Sequence, residues 1–302
     1  MRALPLPAAL LLAVAAWTAS AQTVEEAMEA RRGGDLERAR VALETLAGQN
    51  NRDAQFQLGV LYEVDYKRPE LAAGWYARAA DNGQPQAMNN LGALNYEGRG
   101  VPPNRVRAFD LYRKAAEAGV AAAQYNVALM LGRGDGIPAN AAEAAKWLER
   151  SAHSGYDRAQ AQYGRLLLEG YGMPPNPREA AVWFEKSAAQ GYVWGQYYYG
   201  YAKLRGEGTK RDLAAAFDLL SKAATQGNAP AMFQLAKMSE LGMGEQASDS
   251  RAIDLYTAAA EQGHVEAMRR LVGVYANGEL SVRADPARAR AWADRLAAAE
   301  KR

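Results

Sequence analysis

The chain has 302 residues, 49% of them hydrophobic and 23% charged, with a formal net charge of +2 and no cysteine. That near-neutral balance argues against nucleic acid or an anionic membrane as a general partner. The missing cysteines exclude disulfides, thiol catalysis and a lipidated cysteine, so an exported form must be held by packing alone.

Residues 1–21 read as a secretory signal, with Arg2, an apolar run from Leu4 to Trp17, and Ala19-Ser20-Ala21 as a small-x-small cleavage site. The run is shorter than the roughly 20 residues that span a bilayer, and no later segment is apolar enough. The expected location is therefore periplasmic or secreted, after cleavage near Ala21, with no membrane span. Residues 22–48 follow as an N-terminal capping helix pair broken at Gly33-Gly34, and the next unit replaces its glycine turn by Val64 to Pro69.

Residues 49–263 form six repeats marked by glycines every 36 residues, at Gly83, Gly119, Gly155, Gly191, Gly227 and Gly263. Self-similarity at this period predicts an all-α fold, a solenoid of stacked antiparallel helix pairs that forms one elongated domain. A second glycine lies 15 residues on, and all but the last unit carry a third, at Gly100, Gly136, Gly172, Gly208 and Gly244. The first full unit places helix A at about Gln86 to Tyr96 and helix B at about Arg105 to Glu117. Alanine four residues after the first glycine (Ala87, Ala123, Ala159, Ala231, Ala267, with Gly195 in the remaining unit) lets helices approach closely. Leu91, Val127, Tyr163, Tyr199, Leu235 and Leu271 hold the main core phase. Asn104, Asn140, Asn176, Asp212 and Ser248 are cap residues that set the start of each helix B, and Asn140/Glu143 and Asn176/Glu179 have capping-box spacing. Residues 264–302 supply a C-terminal repeat and a capping helix opened by Asp285-Pro286.

The run Ala87-Met88-Asn89-Asn90-Leu91-Gly92, then Gly98-Arg99-Gly100-Val101, then Tyr112-Arg113-Lys114-Ala115-Ala116-Glu117-Ala118-Gly119 resembles the Sel-one-like repeat, a longer-looped relative of the tetratricopeptide repeat. The resemblance extends over about residues 50 to 280. It implies an alpha/alpha superhelix with a concave face, used as a bacterial adaptor in signalling, secretion, envelope assembly, exopolysaccharide export or host contact. Some members carry a disulfide in each repeat, and this chain departs from that branch.

Reactive chemistry has no visible seat. The glycines of Gly132-Arg133-Gly134-Asp135-Gly136 recur in sister units and serve a turn rather than a phosphate. His153 and His264 sit at unrelated phases, read as surface residues near the inter-repeat turn, and begin no zinc motif. No serine has a nucleophile setting. The expectation is a non-enzyme without cofactor or metal.

The informative positions are those that vary within the repeating frame. Three, six, seven and ten residues after each first glycine share one face of helix A, the helix that lines the concave groove in such solenoids. In one unit they are Trp194, Tyr197, Tyr198 and Tyr201, in a chain with only 9% aromatic residues. Arg158, Ala161, Gln162 and Arg165 precede them, Phe233 and Lys237 follow, and Arg269 and Arg270 come next. Aromatic anchors rimmed by cations suit a protein or extended peptide with acidic residues. A polyanionic glycan of an envelope or exopolysaccharide system, or a host protein met by a secreted factor, are the alternatives. Ring packing between adjacent first helices is the competing explanation of the stripe, while Tyr199 belongs to the core phase.

Overall fold

A computed structural model describes residues 23–170 and 174–301, so the signal reading of residues 1–21 and the glycine at 172 lie outside the described residues. Among the described residues the chain forms sixteen α-helices and no strand. They are α1 (Val24–Arg32), α2 (Leu36–Gly48), α3 (Arg52–Val60), α4 (Pro69–Asp81), α5 (Pro85–Glu97), α6 (Arg105–Glu117), α7 (Ala121–Arg133) and α8 (Ala141–His153). Then come α9 (Asp157–Glu169), α10 (Pro177–Ala189), α11 (Val193–Arg205), α12 (Leu213–Thr225), α13 (Ala229–Leu241), α14 (Asp249–Glu261), α15 (Val265–Asn277) and α16 (Pro286–Ala299). None of them is long and apolar enough to cross a membrane. A π turn, Leu61–Asp65, extends α3 where the glycine turn is missing.

The chain divides into two compact units, Met1–Ala123 with Asp135–Ile137, and Gln124–Gly134 with Pro138–Arg302. Within each, helices pair in chain order, α3 with α4 and α5 with α6 in the first, α9 with α10, α11 with α12, α13 with α14 and α15 with α16 in the second. First helices also touch their counterparts (α1–α3 and α3–α5; α9–α11 and α11–α13), whereas among the described residues second helices make no comparable contact. In each unit the first helices are thus the crowded row.

The cap residues explain why the second helices start where they do. Asn104, Asn140, Asn176, Asp212 and Ser248 each accept the backbone N–H three residues on, at 2.9, 3.1, 3.2, 3.0 and 3.4 Å. Their own N–H groups donate to a carbonyl of the preceding helix nine residues back, as in Asn104 to Asn95 (2.8 Å), Asn176 to Leu167 (2.8 Å) and Asp212 to Lys203 (3.0 Å). The spacing of Asn140/Glu143 and Asn176/Glu179 therefore closes differently from a capping box. With the cap N–H engaged, Glu143 and Glu179 accept from the asparagine side-chain amides at 3.2 and 2.9 Å. Among the described residues the reciprocal backbone box forms at Thr23/Glu26.

The core follows the predicted phases. Ala87, Ala123, Ala159, Ala231 and Ala267 are fully buried, as are the large side chains Tyr76, Phe184, Leu220 and Tyr256 of the second helices. The glycine after the core leucine receives those large residues: a Cβ on Gly92 would stand 2.9 Å from the Tyr112 ring. Tyr199 departs from expectation, being half-buried where Leu91, Val127, Tyr163, Leu235 and Leu271 are buried. Its hydroxyl donates to Glu185 at 2.8 Å and Lys203 lies over its ring, which holds the phenol at the edge of the core.

Two further devices join one repeat to the next. Gln160 and Gln196, 5% and 7% exposed, accept from the Nε2 amides of Gln190 and Gln226 at 2.8 Å each. The same amides reach the carbonyls of Gly155 and Gly191. The third glycine is pressed against the preceding second helix, and a Cβ on Gly244 would fall 2.6 Å from the Leu213 carbonyl oxygen. In the last repeat that phase holds Leu280 (φ 54°), which packs with Val282, Trp292 and Leu296 on the C-terminal core.

Candidate functional site

Helix α11 is poorly suited to stand alone, since aromatic residues lose side-chain freedom in a helix and its cap position, Tyr192, makes no side-chain bond. Packing holds it instead. Gly195 brings it onto α10, where a Cβ would stand 2.7 Å from the Ala188 nitrogen, and Gly200 seats it on Leu220 of α12.

The four stripe residues form one ring network. Trp194 lies against Tyr197 (centroids 5.9 Å apart, 87°) and Tyr198 (5.8 Å, 32°). Tyr197 touches Tyr198 at 5.2 Å and Tyr201 at 6.2 Å, and Tyr198 stacks on Phe184 of α10 at 5.1 Å. Tyr197 and Tyr201 lean on the core that contains Leu204, Leu220 and Leu235. Trp194 is 38% exposed and is the one exposed aromatic side chain among the described residues.

Grooves run between neighbouring first helices of the second unit. The one between α9 and α11, of about 360 Å³, is lined by Ala161, Gln162, Arg165, Tyr192, Trp194 and Tyr198. A second, between α13 and α15 and of about 460 Å³, takes Phe233, Lys237, Arg269 and Arg270 with Glu240 and the exposed Leu241. A third, of about 440 Å³, uses the other side of α9 against α7 and α8, including Leu129, Arg133 and Leu148. The sequence-derived residues are thus distributed: Arg165, Trp194 and Tyr198 meet in one groove, Phe233, Lys237, Arg269 and Arg270 in another. Tyr197, Tyr201 and Arg158 line neither.

Most of the cations are already engaged. Arg165 pairs with Glu169 at 2.8 Å, Arg269 with Glu300 at 2.7 Å, and Arg270 with both Glu240 at 2.7 Å and Glu279 at 2.5 Å. Arg158 and Lys237 are exposed and form no ion pair among the described residues. Burial pushes the Glu240 carboxyl up, but hydrogen bonds from Arg270 and Tyr256 outweigh it and leave the group below the ordinary carboxylate value.

The phenols of the stripe differ from the rest. Tyr62, Tyr76, Tyr199 and Tyr256 donate to carboxylates at 2.7 to 3.0 Å. The hydroxyls of Tyr192, Tyr197, Tyr198 and Tyr201 make no hydrogen bond among the described residues. Burial, then the neighbouring Tyr198 and Tyr201 phenols, pushes Tyr197 up to about 12, and burial likewise raises Tyr192 and Tyr198, so these remain neutral O–H groups.

His153 is exposed beside Trp183, but His264 is not the surface residue its phase suggested. It caps α15, its Nδ1 accepting the Ala267 N–H at 3.3 Å, and stacks on Phe233 at 4.6 Å. Asn228 caps α13 from the same phase, a position whose regular use sequence inspection passed over. The buried glutamine rungs were also missed, although glutamine recurs five residues after the first glycine at Gln124, Gln160 and Gln196. Among the described residues no group of three histidines or carboxylates is placed to hold a metal ion.

Comparison with known proteins places this architecture. The Sel1 repeat matches residues 52–84, 85–120, 121–156, 157–192, 195–228, 229–264 and 265–300. The structure of c5321, a protective antigen of uropathogenic Escherichia coli strains displaying an SLR fold, is 28% identical with a TM-score of 0.79 over 96% of this chain. This chain spans 64% of that protein. A Sel1 repeat protein from Oxalobacter formigenes is 30% identical with a TM-score of 0.72, covering 80% of this chain and 96% of that one. No curated protein matches the chain. Seven consecutive repeat matches, on a helix-pair fold shared along most of its length with such a relative, make this chain a member of the Sel1 repeat family.

Proposed function

We propose that the chain is an exported, non-enzymatic scaffold that binds an extended segment of a partner protein in the grooves of its first-helix row. The Sel1 repeat fold is one typical of protein–protein interaction and generally serves as a scaffold. The observation that carries the groove assignment is Trp194, an exposed indole on the rim of a groove, braced by Tyr197 and Tyr198. Interface hot spots are enriched in such anchored tryptophan and tyrosine side chains. Export rests on the pattern of residues 1–21 and the lack of cysteine, and the likeness to a protective antigen agrees with it.

The test is selection of peptides from a random display library on residues 22–302, followed by affinity measurement on Trp194→Ala. The selected peptides should lose about tenfold or more in affinity, as a hot-spot residue does, with the circular dichroism spectrum unchanged because the indole is largely outside the core. Tyr198→Ala is a poorer probe, since its ring stacks on Phe184. Unaltered affinity in Trp194→Ala would remove the binding face from this groove. N-terminal sequencing of the exported protein should begin at Gln22; recovery of an uncleaved chain from the cytoplasm would end the export reading.

A further inference from the structure

We infer that the groove between α9 and α11 recognises a proline-rich segment in the polyproline II conformation. This rests on the groove reading above and names its ligand.

The argument is one of donors and acceptors. Tyr192 and Tyr198 offer unengaged hydroxyls at the groove, and the Trp194 indole N–H likewise has no partner among the described residues. Acceptors are fewer and partly engaged. The Gln162 amide oxygen takes the Arg165 Nε–H at 3.1 Å, and no carboxylate lines the groove. Arg165 is held by both oxygens of Glu169, at 2.8 and 3.2 Å, so its charge is locally balanced. The groove is therefore aromatic, close to neutral, rich in donors and poor in acceptors.

A complementary ligand has many acceptors, few donors, no strong charge and a rigid apolar outline. A proline-rich strand meets each condition, because proline carries a carbonyl and no N–H, and the polyproline II helix makes no internal hydrogen bonds. Its pre-ordered form also loses little entropy on docking into aromatic grooves. A glycan also brings acceptors, but it carries a hydroxyl donor at most ring positions, and the groove has few acceptors to meet them. An acidic peptide would meet an arginine whose charge Glu169 has already offset.

The test titrates residues 22–302 with a blocked oligoproline of about ten residues, a Gly-Ser peptide of equal length, an oligoglutamate and an acidic oligosaccharide, by calorimetry. The oligoproline is expected to bind and the other three not to. Tyr192→Phe/Tyr198→Phe keeps both rings and removes both hydroxyls. It should weaken oligoproline binding by roughly tenfold or more, as two lost neutral hydrogen bonds would, without moving the melting temperature, and Trp194→Ala should abolish it. Equal binding by the double phenylalanine variant overturns the donor argument. Failure of oligoproline while proline-free display peptides bind in a Trp194-dependent way overturns the proline assignment and leaves the groove reading standing. Preference for the oligoglutamate or the oligosaccharide also overturns it. If neither oligoproline nor any display peptide binds, both readings fall.

Discussion

Two glycines with nearly the same backbone conformation separate turn geometry from contact between repeats. Gly227 (φ 84°) stands in open space, with nothing within 4 Å of an added Cβ, whereas at Gly244 (φ 85°) that atom would lie 2.6 Å from the Leu213 carbonyl oxygen and 3.2 Å from the Phe217 Cβ. Alanine at either site adopts the left-handed region at a cost of about 1–2 kcal/mol, partly offset by a stiffer unfolded chain. Gly244→Ala must in addition push the loop off the first turn of α12, and overpacking of that kind costs about 1–3 kcal/mol. At about 2–4 °C per kcal/mol for a unit of this size, Gly244→Ala should melt roughly 2–12 °C below Gly227→Ala. Thermal melts followed by circular dichroism, paired with hydrogen exchange on α12, measure this. Equal melting temperatures would show that the loop yields freely and that the third glycine serves only its own turn.

Asp212→Ala should cost about 1 kcal/mol by removing the cap of α12, measured by urea unfolding. Gln226→Ala leaves the buried Gln196 oxygen without its rung and should cost about 1–3 kcal/mol; a double-mutant cycle with Gln196→Ala should show strong coupling. Glu240, whose folded value is depressed, stabilises above the ordinary carboxylate range and loses that contribution as pH falls through its folded value. Arg270→Gln should therefore raise the midpoint of acid unfolding. Burial lowers the His264 value, so its contribution is complete above the ordinary histidine value and disappears as pH falls toward the folded one. Stability of the α15 region should fall as the pH drops below the ordinary histidine value, a slope that His264→Asn, a cap that does not titrate, should abolish.

The helices, their caps and the alanine seams were legible because each is a local rule repeated at a fixed period, so one assignment was checked against its sisters. What escaped depends on the neighbouring repeat. Gln160 and Gln196 look like surface residues on a single helix, and only the arrival of Gln190 and Gln226 makes them buried rungs. Arg270 was read as a cation for a ligand because its partner Glu240 lies 30 residues away, on another first helix. Tyr197 and Tyr198 share a helical stripe with Trp194, yet Tyr197 packs on the core around Leu220 and Leu235 and Tyr198 stacks on Phe184, which helical spacing cannot see.

The cap N–H that reaches back nine residues, from Asn104 to Asn95 through Ser248 to Ser239, ties the two helices of a repeat together. In the last repeat the joint is one residue longer and Asp285 still makes the bond, reaching Tyr275 ten residues back at 2.7 Å, so the tie survives a one-residue change of length. The turns at Gly155 and Gly191 have free space around an added side chain, but their carbonyls are tied to the next repeat by Gln190 and Gln226; at Gly227 the space is free and no such rung is made among the described residues. An engineered tag, fluorophore or guest peptide therefore belongs at the Gly227 turn, where it displaces neither a cap bond nor a glutamine rung.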